Sequence, residues 1–300
     1  MKIELHGNGP EVSRIALGMM RMAEWDLSTA ERRRWIERAL ELGLTTFDHA
    51  DIYGDYTCEE LFGEALSSMP SARRDMQLVT KCGIELVSKR NPGCTIKHYD
   101  TSKAHITASV ERSLRRLRTD YIDLLLIHRP DPLMDPDEVA AAFASLRESG
   151  KVRHFGVSNF TPAQFELLSS RLPFPLVTNQ IECSVIETKA LEDGTLDQCL
   201  LLGIAPMAWS PLAGGALFDG RTKRISSVRR ELEAVCRTLG IDSPEALALA
   251  WLLGHPARIV PILGTGRMAR IEKMIEAMEI ELPREDWFRI LRASKGSDVP

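Results

Sequence analysis

A single (β/α)8 barrel, with extra helices at its C-terminal end, is the fold this sequence predicts. Three observations predict it. Short apolar, β-branched runs alternate with amphipathic stretches along the chain, the pattern of a parallel sheet with helical crossovers. Eight runs of this kind occur, and the strongest, Tyr121 to Ile127 (YIDLLLI), is apolar almost throughout, as strands covered on both faces are. Polar residues follow nearly every run at once, which suits a ring that gathers its strand ends; an open sheet would spread them along an edge.

The elements follow in order. Ser13 to Leu17 reads as the first strand, and Thr29 to Leu42 as a helix closed by Gly43. Leu44 to Phe47 and Met76 to Thr80 are the next strands, with a helix from Glu59 to Ser67 between them. A helix from Ser102 to Leu117, with Ser102 as N-cap, leads into Tyr121 to Ile127. Asp137 to Glu148 is a helix ended by Gly150. Val152 to Val157 and Leu176 to Ile181 are strands either side of a helix from Pro162 to Ser170. Ile204 to Trp209 and Ile259 to Leu263 complete the set, and Arg267 to Met278 and Arg284 to Ala293 are the terminal helices. No linker, low-complexity tract or repeat interrupts the series, so residues 1–300 read as one domain. A barrel of this type takes ~250 residues.

With 44% hydrophobic and 27% charged residues, the composition is that of an ordinary globular enzyme whose core needs no disulfide or metal. The net charge of −4 gives no footprint for nucleic acid or an anionic membrane. No apolar run approaches the ~18 residues of a membrane span. The six cysteines are scattered without a C-x-x-C pair and are expected as reduced thiols of a cytoplasmic protein. Cys94 and His98 offer two metal ligands with no partner in sequence, so no metal site is expected.

Gly264-Thr265-Gly266-Arg267-Met268-Ala269 matches a dinucleotide fingerprint between a strand and a helix. No further strand follows to complete a βαβ unit, so the Rossmann reading fails. A glycine turn opening a helix still binds phosphate without that fold. The position after the last barrel strands is a recurrent phosphate site.

Asp48, Tyr53, Lys81 and His128 stand together at the ends of three separate runs. Carbonyl reduction is the chemistry that needs such a set. Hydride arriving at carbon builds negative charge on oxygen, which must be stabilised and protonated. A tyrosine supplies the proton if a buried lysine favours its phenolate. A carboxylate keeps that lysine charged, and histidine adds a second donor.

The runs FDHADIYG (Phe47 to Gly54), TKCG (Thr80 to Gly83), LLLIHRPDP (Leu124 to Pro132) and GKVRHFGVSNF (Gly150 to Phe160) resemble the aldo/keto reductase superfamily. So do TNQIE (Thr178 to Glu182) and MAWSPLAGG (Met207 to Gly215). Within it, DHADIYG, HRPDPLMD and VRHFGVSNFTPAQF are most similar to the bacterial YdhF-type oxidoreductases. The resemblance implies a catalytic tetrad of Asp48, Tyr53, Lys81 and His128, and NADPH as cofactor. It puts the nicotinamide carboxamide on Ser158, Asn159 and Gln180 and the stacking ring on Trp209. The diphosphate falls on Ser210, Pro211 and Leu212, and the adenosine phosphate on Gly264, Thr265 and Gly266. Arg267 and Arg270 are the candidates for the 2′-phosphate. Met19 and Met20 occupy the first strand's cofactor position.

The expected partner is a small carbonyl compound. Residues 84–101 and 22–27 are long enough to line its pocket, with Tyr99 and Trp25 as candidate contacts. The short tail after Lys295 implies an open, permissive site. Two other readings stand beside this one: a cofactor-sensing regulatory protein of the same fold with little turnover, and a barrel enzyme that uses the Gly264 turn for a substrate phosphate.

Overall fold

The computed structural model describes residues 1–7 and 9–300. Among these residues eight parallel strands close into a barrel in sequential order. They are β1 (Ala16–Gly18), β2 (Thr46–Asp48), β3 (Gln77–Cys82), β4 (Ile122–Ile127), β5 (Val152–Ser158), β6 (Leu176–Glu182), β7 (Met207–Trp209) and β8 (Val260–Leu263). The longer helices are α1 (Thr29–Glu41), α2 (Cys58–Leu66), α3 (Lys103–Leu117), α4 (Pro136–Glu148), α5 (Pro162–Ser169), α6 (Thr195–Leu202), α7 (Lys223–Leu239), α8 (Pro244–Leu253), α9 (Met268–Met274) and α10 (Arg284–Lys295). The chain divides into two compact units, Met1–Gln180 and Ile181–Pro300.

In the first unit, local sequence sets most helix boundaries. Ser28 caps α1, and Glu31 returns its carboxylate to the Ser28 backbone in a capping box. Gly43, at φ 75°, ends the same helix. Ser102 caps α3 by accepting from the His105 N–H at 3.2 Å, as the sequence predicts. β4 is buried along its whole length, which explains why its run shows no alternation.

The first and third barrel strands are bounded otherwise than the sequence predicts. Glu11–Ser13 pairs antiparallel with Lys2–Glu4 in a hairpin, and β1 starts only at Ala16. The chain turns between them because Ser13 is pinned: its N–H donates to Thr46 Oγ1 at 2.9 Å and its hydroxyl to the Ile15 carbonyl at 2.7 Å. β3 runs on to Cys82, since Lys81 and Cys82 pair with Leu126 and Ile127 of β4. Lys81 is therefore a strand residue, with a strand residue's fixed direction.

α2 and α3 cross at Gly63, where an added Cβ would lie 1.9 Å from the Arg116 carbonyl oxygen. Backbone is the obstacle there, so no side-chain rotation relieves it. Gly63→Ala is expected to lower unfolding stability by about 3 kcal/mol, at the upper end of ordinary overpacking costs. Urea denaturation checks this; a change below about 0.5 kcal/mol would refute the close crossing.

In the second unit, β7 and β8 pair in parallel, Met207 with Val260 and Ala208 with Pro261. α6, α7 and α8 are not assigned by the sequence reading. α7 is strongly charged, but Val228, Leu232 and Val235 recur on one buried face. α8 and α10 are clamped by Trp251 and Trp287, stacked at 4.6 Å and 7°. Each indole N–H donates to the other residue's carbonyl, at 3.0 and 2.9 Å. Burying Trp251 against the partly buried Trp287 without stranding either polar end fixes the terminal helix. No helix among the described residues is long and apolar enough to cross a membrane.

Candidate active site

Lys81 is the hub of the site. It is 1% exposed, and its ammonium must find partners or lose its charge. It donates to both oxygens of Asp48, at 2.9 and 2.8 Å, and to the His49 carbonyl at 2.8 Å. The Tyr53 hydroxyl lies 3.1 Å from the same nitrogen. Asp48, the last residue of β2, takes a further bond from Gln180 Nε2 of β6 at 2.8 Å. The carboxylate is thus fixed from two strands and cannot swing away from the lysine.

Tyr53 is held by an unusual turn. Gly54, Asp55 and Tyr56 all have left-handed backbones, with φ of 57°, 54° and 67°. An added Cβ at Gly54 would meet Cys58 Sγ at 2.6 Å and Thr57 Oγ1 at 2.8 Å, so only glycine fits. Each non-glycine residue in this region costs about 1–2 kcal/mol, which the surrounding structure must offset. The turn aims the phenol at Lys81, and the ammonium lies 5.0 Å from the ring centroid. His128, just beyond β4, meets Tyr53 edge-on, with ring centroids 5.9 Å apart at 80°. Its Nδ1 has no hydrogen-bond partner among the described residues.

The electrostatics refine the expected tuning. Burial pushes the Tyr53 phenol above its ordinary 10; Lys81 pulls it down but does not win. Burial alone would lower the Lys81 ammonium, yet Asp48 and Tyr53 outweigh it and hold it above 10.5. Burial, reinforced by the Lys81 charge, drives His128 well below 6.5, so the imidazole is neutral at physiological pH. The arrangement is a neutral phenol touching a permanent cation, with a neutral imidazole alongside.

Beneath the turn lies a buried polar layer that sequence reasoning missed. The Asp51 backbone N–H bonds to the Lys81 carbonyl at 3.0 Å, and its carboxyl accepts from Ser109 of α3 at 2.7 Å. Glu59 of α2 accepts from Thr80 of β3 at 2.7 Å. Arg116 lies 3.9 Å from Glu59 and 3.5 Å from the Asp51 carbonyl. For Asp51 the signal was present: a second acid three residues beyond the strand-end Asp48.

Burial raises the Asp51 carboxyl to about 7 from 3.8. The folded state therefore holds a proton that the unfolded chain has released between about pH 4 and pH 7. A raised carboxyl lowers stability as pH climbs through that window. Asp51→Asn removes the dependence while keeping an acceptor for Ser109. Relative to wild type, the variant is expected to gain about 2–3 kcal/mol between pH 5 and pH 8. Urea unfolding at the two pH values measures it; a constant difference would contradict the shifted carboxyl.

The remaining predicted residues are placed as follows. Ser158 ends β5 and donates to the Gln180 carbonyl at 2.9 Å. Asn159, left-handed at φ 61°, donates to Ser158 Oγ at 2.7 Å. These two and Gln180 are brought together with the Asp48–Lys81 group. Met19 is fully buried and bonds to the Asp48 carbonyl through its N–H at 2.9 Å; Met20 is half-exposed. Trp25 packs on Trp35 of α1 at 4.8 Å, and Tyr99 pairs with Ile84 in a short hairpin.

In the second unit, Trp209 ends β7 and is half-buried. Ser210, Ala213, Gly214 and Gly215 in the following loop are all left-handed, with Pro211 and Leu212 between them. Successive backbones of this kind turn N–H groups into a concavity suited to anions. Gly264 is exposed with open space where a side chain would stand. The Arg267 N–H bonds to Thr265 Oγ1 at 3.2 Å, with Gly266 between them and α9 following. Arg267 is exposed, and Arg270 lies 3.9 Å from Glu245.

A model of the aldo/keto reductase family matches residues 14–295. The chain is 50% identical to the oxidoreductase YdhF of Escherichia coli over 299 residues, covering 100% of this chain and 99% of that one. It is 44% identical over 290 residues to a 6-dehydroglucose reductase of Agrobacterium fabrum, covering 96% of each. Among solved structures it is similar to a thermostable aldo-keto reductase, Tm1743, in complex with the inhibitor epalrestat. The TM-score is 0.82 at 28% identity, covering 98% of this chain and 99% of that one.

Proposed function

The chain belongs to the aldo/keto reductase family, and from that premise we propose that it reduces an aldehyde or ketone with NADPH, Tyr53 acting as proton donor. One observation carries this reading: the Lys81 ammonium bonds Asp48 and the Tyr53 hydroxyl at once. The phenol donates its proton to the carbonyl oxygen, and the adjacent ammonium stabilises the phenolate left behind. Neutral His128 donates a hydrogen bond to the same oxygen. Asp48 and Gln180 keep Lys81 aimed.

The residues present suit a nicotinamide dinucleotide, which when bound supplies the hydride. Ser158, Asn159 and Gln180 offer amide and hydroxyl groups for a carboxamide, and Trp209 a ring face. The left-handed loop at Ser210, Pro211 and Leu212 suits the diphosphate. Gly264, Thr265 and Gly266 suit the adenosine phosphate, where open space lets backbone approach. Met19 and Met20, just beyond β1, flank the cofactor. Arg267 and Arg270 select the 2′-phosphate; truncating both to Ala is expected to raise KM for NADPH about tenfold or more while leaving NADH little changed. All of residues 1–300 serve this one activity, in a cytoplasm that keeps the buried thiols reduced.

Consumption of NADPH across a carbonyl panel tests the reading. The named activity of the 6-dehydroglucose reductase relative puts polyhydroxylated aldehydes first in that panel. Trp25 and Tyr99 are the residues to vary for substrate preference. Absence of turnover with every aldehyde and ketone, despite tight NADPH binding by nicotinamide fluorescence, would refute it.

A further inference from the structure

A cavity of about 360 Å3 opens beside the Ile84–Glu85 and His98–Tyr99 hairpin, its wall including Tyr56, Arg90, His105, Arg112 and Arg116. None of Asp48, Tyr53, Lys81 and His128 lines it, and its whole wall belongs to the first unit. Arg112 and Arg116 stand one turn apart on α3 and so share a face. Arg90 reaches the cavity from the loop between the hairpin strands.

The acids of the wall are already engaged. Glu85 accepts from Asn91 and lies 3.3 Å from His105 Nδ1. Asp100 accepts from the Ser102 N–H at 2.9 Å. Arg90 lies 3.5 Å from Glu60, but both side chains are half-exposed and water weakens the pair. Arg112 is different. Half-buried, it has no hydrogen bond or ion pair among the described residues. Two buried carboxyls that its charge acts on, Asp51 and Glu59, are both held toward their neutral forms by burial. Its donor fork is therefore left unused, although Glu85 and Asp100 share the cavity wall. Such a fork matches two oxygens of a carboxylate or phosphoryl group.

We propose that this cavity binds an oxoanion, the phosphoryl or carboxylate group of a small molecule, with Arg112 as its main partner and Arg116 as its second. None of Met19, Met20, Ser158, Asn159 and Gln180 lines it, and it adjoins the Tyr53 turn. Arg116 touches the Asp51 carbonyl and stands 5.7 Å over the Tyr56 ring, and Tyr56 ends that turn.

Thermal unfolding in sodium phosphate or sodium malonate, against sodium chloride of equal ionic strength, tests the proposal. Wild type is expected to gain about 2 °C or more from at least one of the two anions at about 20 mM. A gain from phosphate alone assigns a phosphoryl group, and a gain from malonate a carboxylate. Arg112→Met should lose the gain, Arg112→Lys should lose most of it, and Arg267→Ala should keep it. Each shift is read within one variant, so a lower starting stability does not imitate the result. Runs with and without NADPH should give the same Arg112-dependent part, whether or not NADPH is the cofactor. An equal gain in wild type and both Arg112 variants, or no gain in wild type above chloride, overturns the proposal.

Discussion

Tyr53→Phe is expected to lower kcat for carbonyl reduction by about a thousandfold or more, while the Kd for NADPH changes less than about twofold. The substitution removes one oxygen. Phe keeps the ring and its edge contact with His128, 5.9 Å between centroids. The donor 3.1 Å from Lys81 is lost. Stopped-flow single-turnover rates separate this loss from product release, and fluorescence titration reports cofactor affinity. A variant that still reduces aldehydes at the wild-type rate would show that another group donates the proton.

The pH profile carries a second signature of the same residue. Burial holds the phenol above its ordinary range despite Lys81, so it stays protonated through neutrality. Reduction should therefore hold steady across neutral pH and fall only in alkali. Alcohol oxidation by the same enzyme, which needs the phenolate, should climb over that alkaline range. An acid limb near neutrality in reduction would contradict the assignment.

Lys81→Met is expected to abolish activity and to cost about 3–5 kcal/mol of stability. The stability loss comes from Asp48. At 3% exposure its carboxylate would keep the Gln180 bond at 2.8 Å and lose both bonds from the ammonium. An uncompensated buried charge costs more than the intact pair contributes. The double variant Lys81→Met, Asp48→Leu removes both charges and should regain most of the stability with none of the activity. Urea denaturation of the three proteins measures the coupling. Equal stability in Lys81→Met and wild type would mean that the pair is solvated and the site is not closed as described.

Much of this site was legible in the chain. Asp48, Lys81 and His128 each follow or close a strongly apolar run, and strand ends of a parallel barrel gather on one side. The residues beneath them were not legible. Asp51, Glu59, Ser109 and Arg116 come from a loop and two helices. Nothing in local pattern says that a serine in the middle of α3 will meet an aspartate fifty-eight positions earlier. α7 escaped for a related reason: its charges mask a one-sided apolar stripe that only packing reveals.

By itself, the sequence determined the order of the eight strands, the barrel class and the polar residues at the run ends, Asp48, Lys81 and His128 among them. Those follow from hydrophobic periodicity, capping residues and chemistry at run ends, all of which act over a few neighbouring positions. Tertiary structure decided that Lys81 lies within a strand, that three left-handed residues aim the phenol, and that burial rather than the lysine sets its proton affinity. These depend on register between strands, on space left at Gly54 and on dielectric surroundings. Such quantities exist only once distant segments have met.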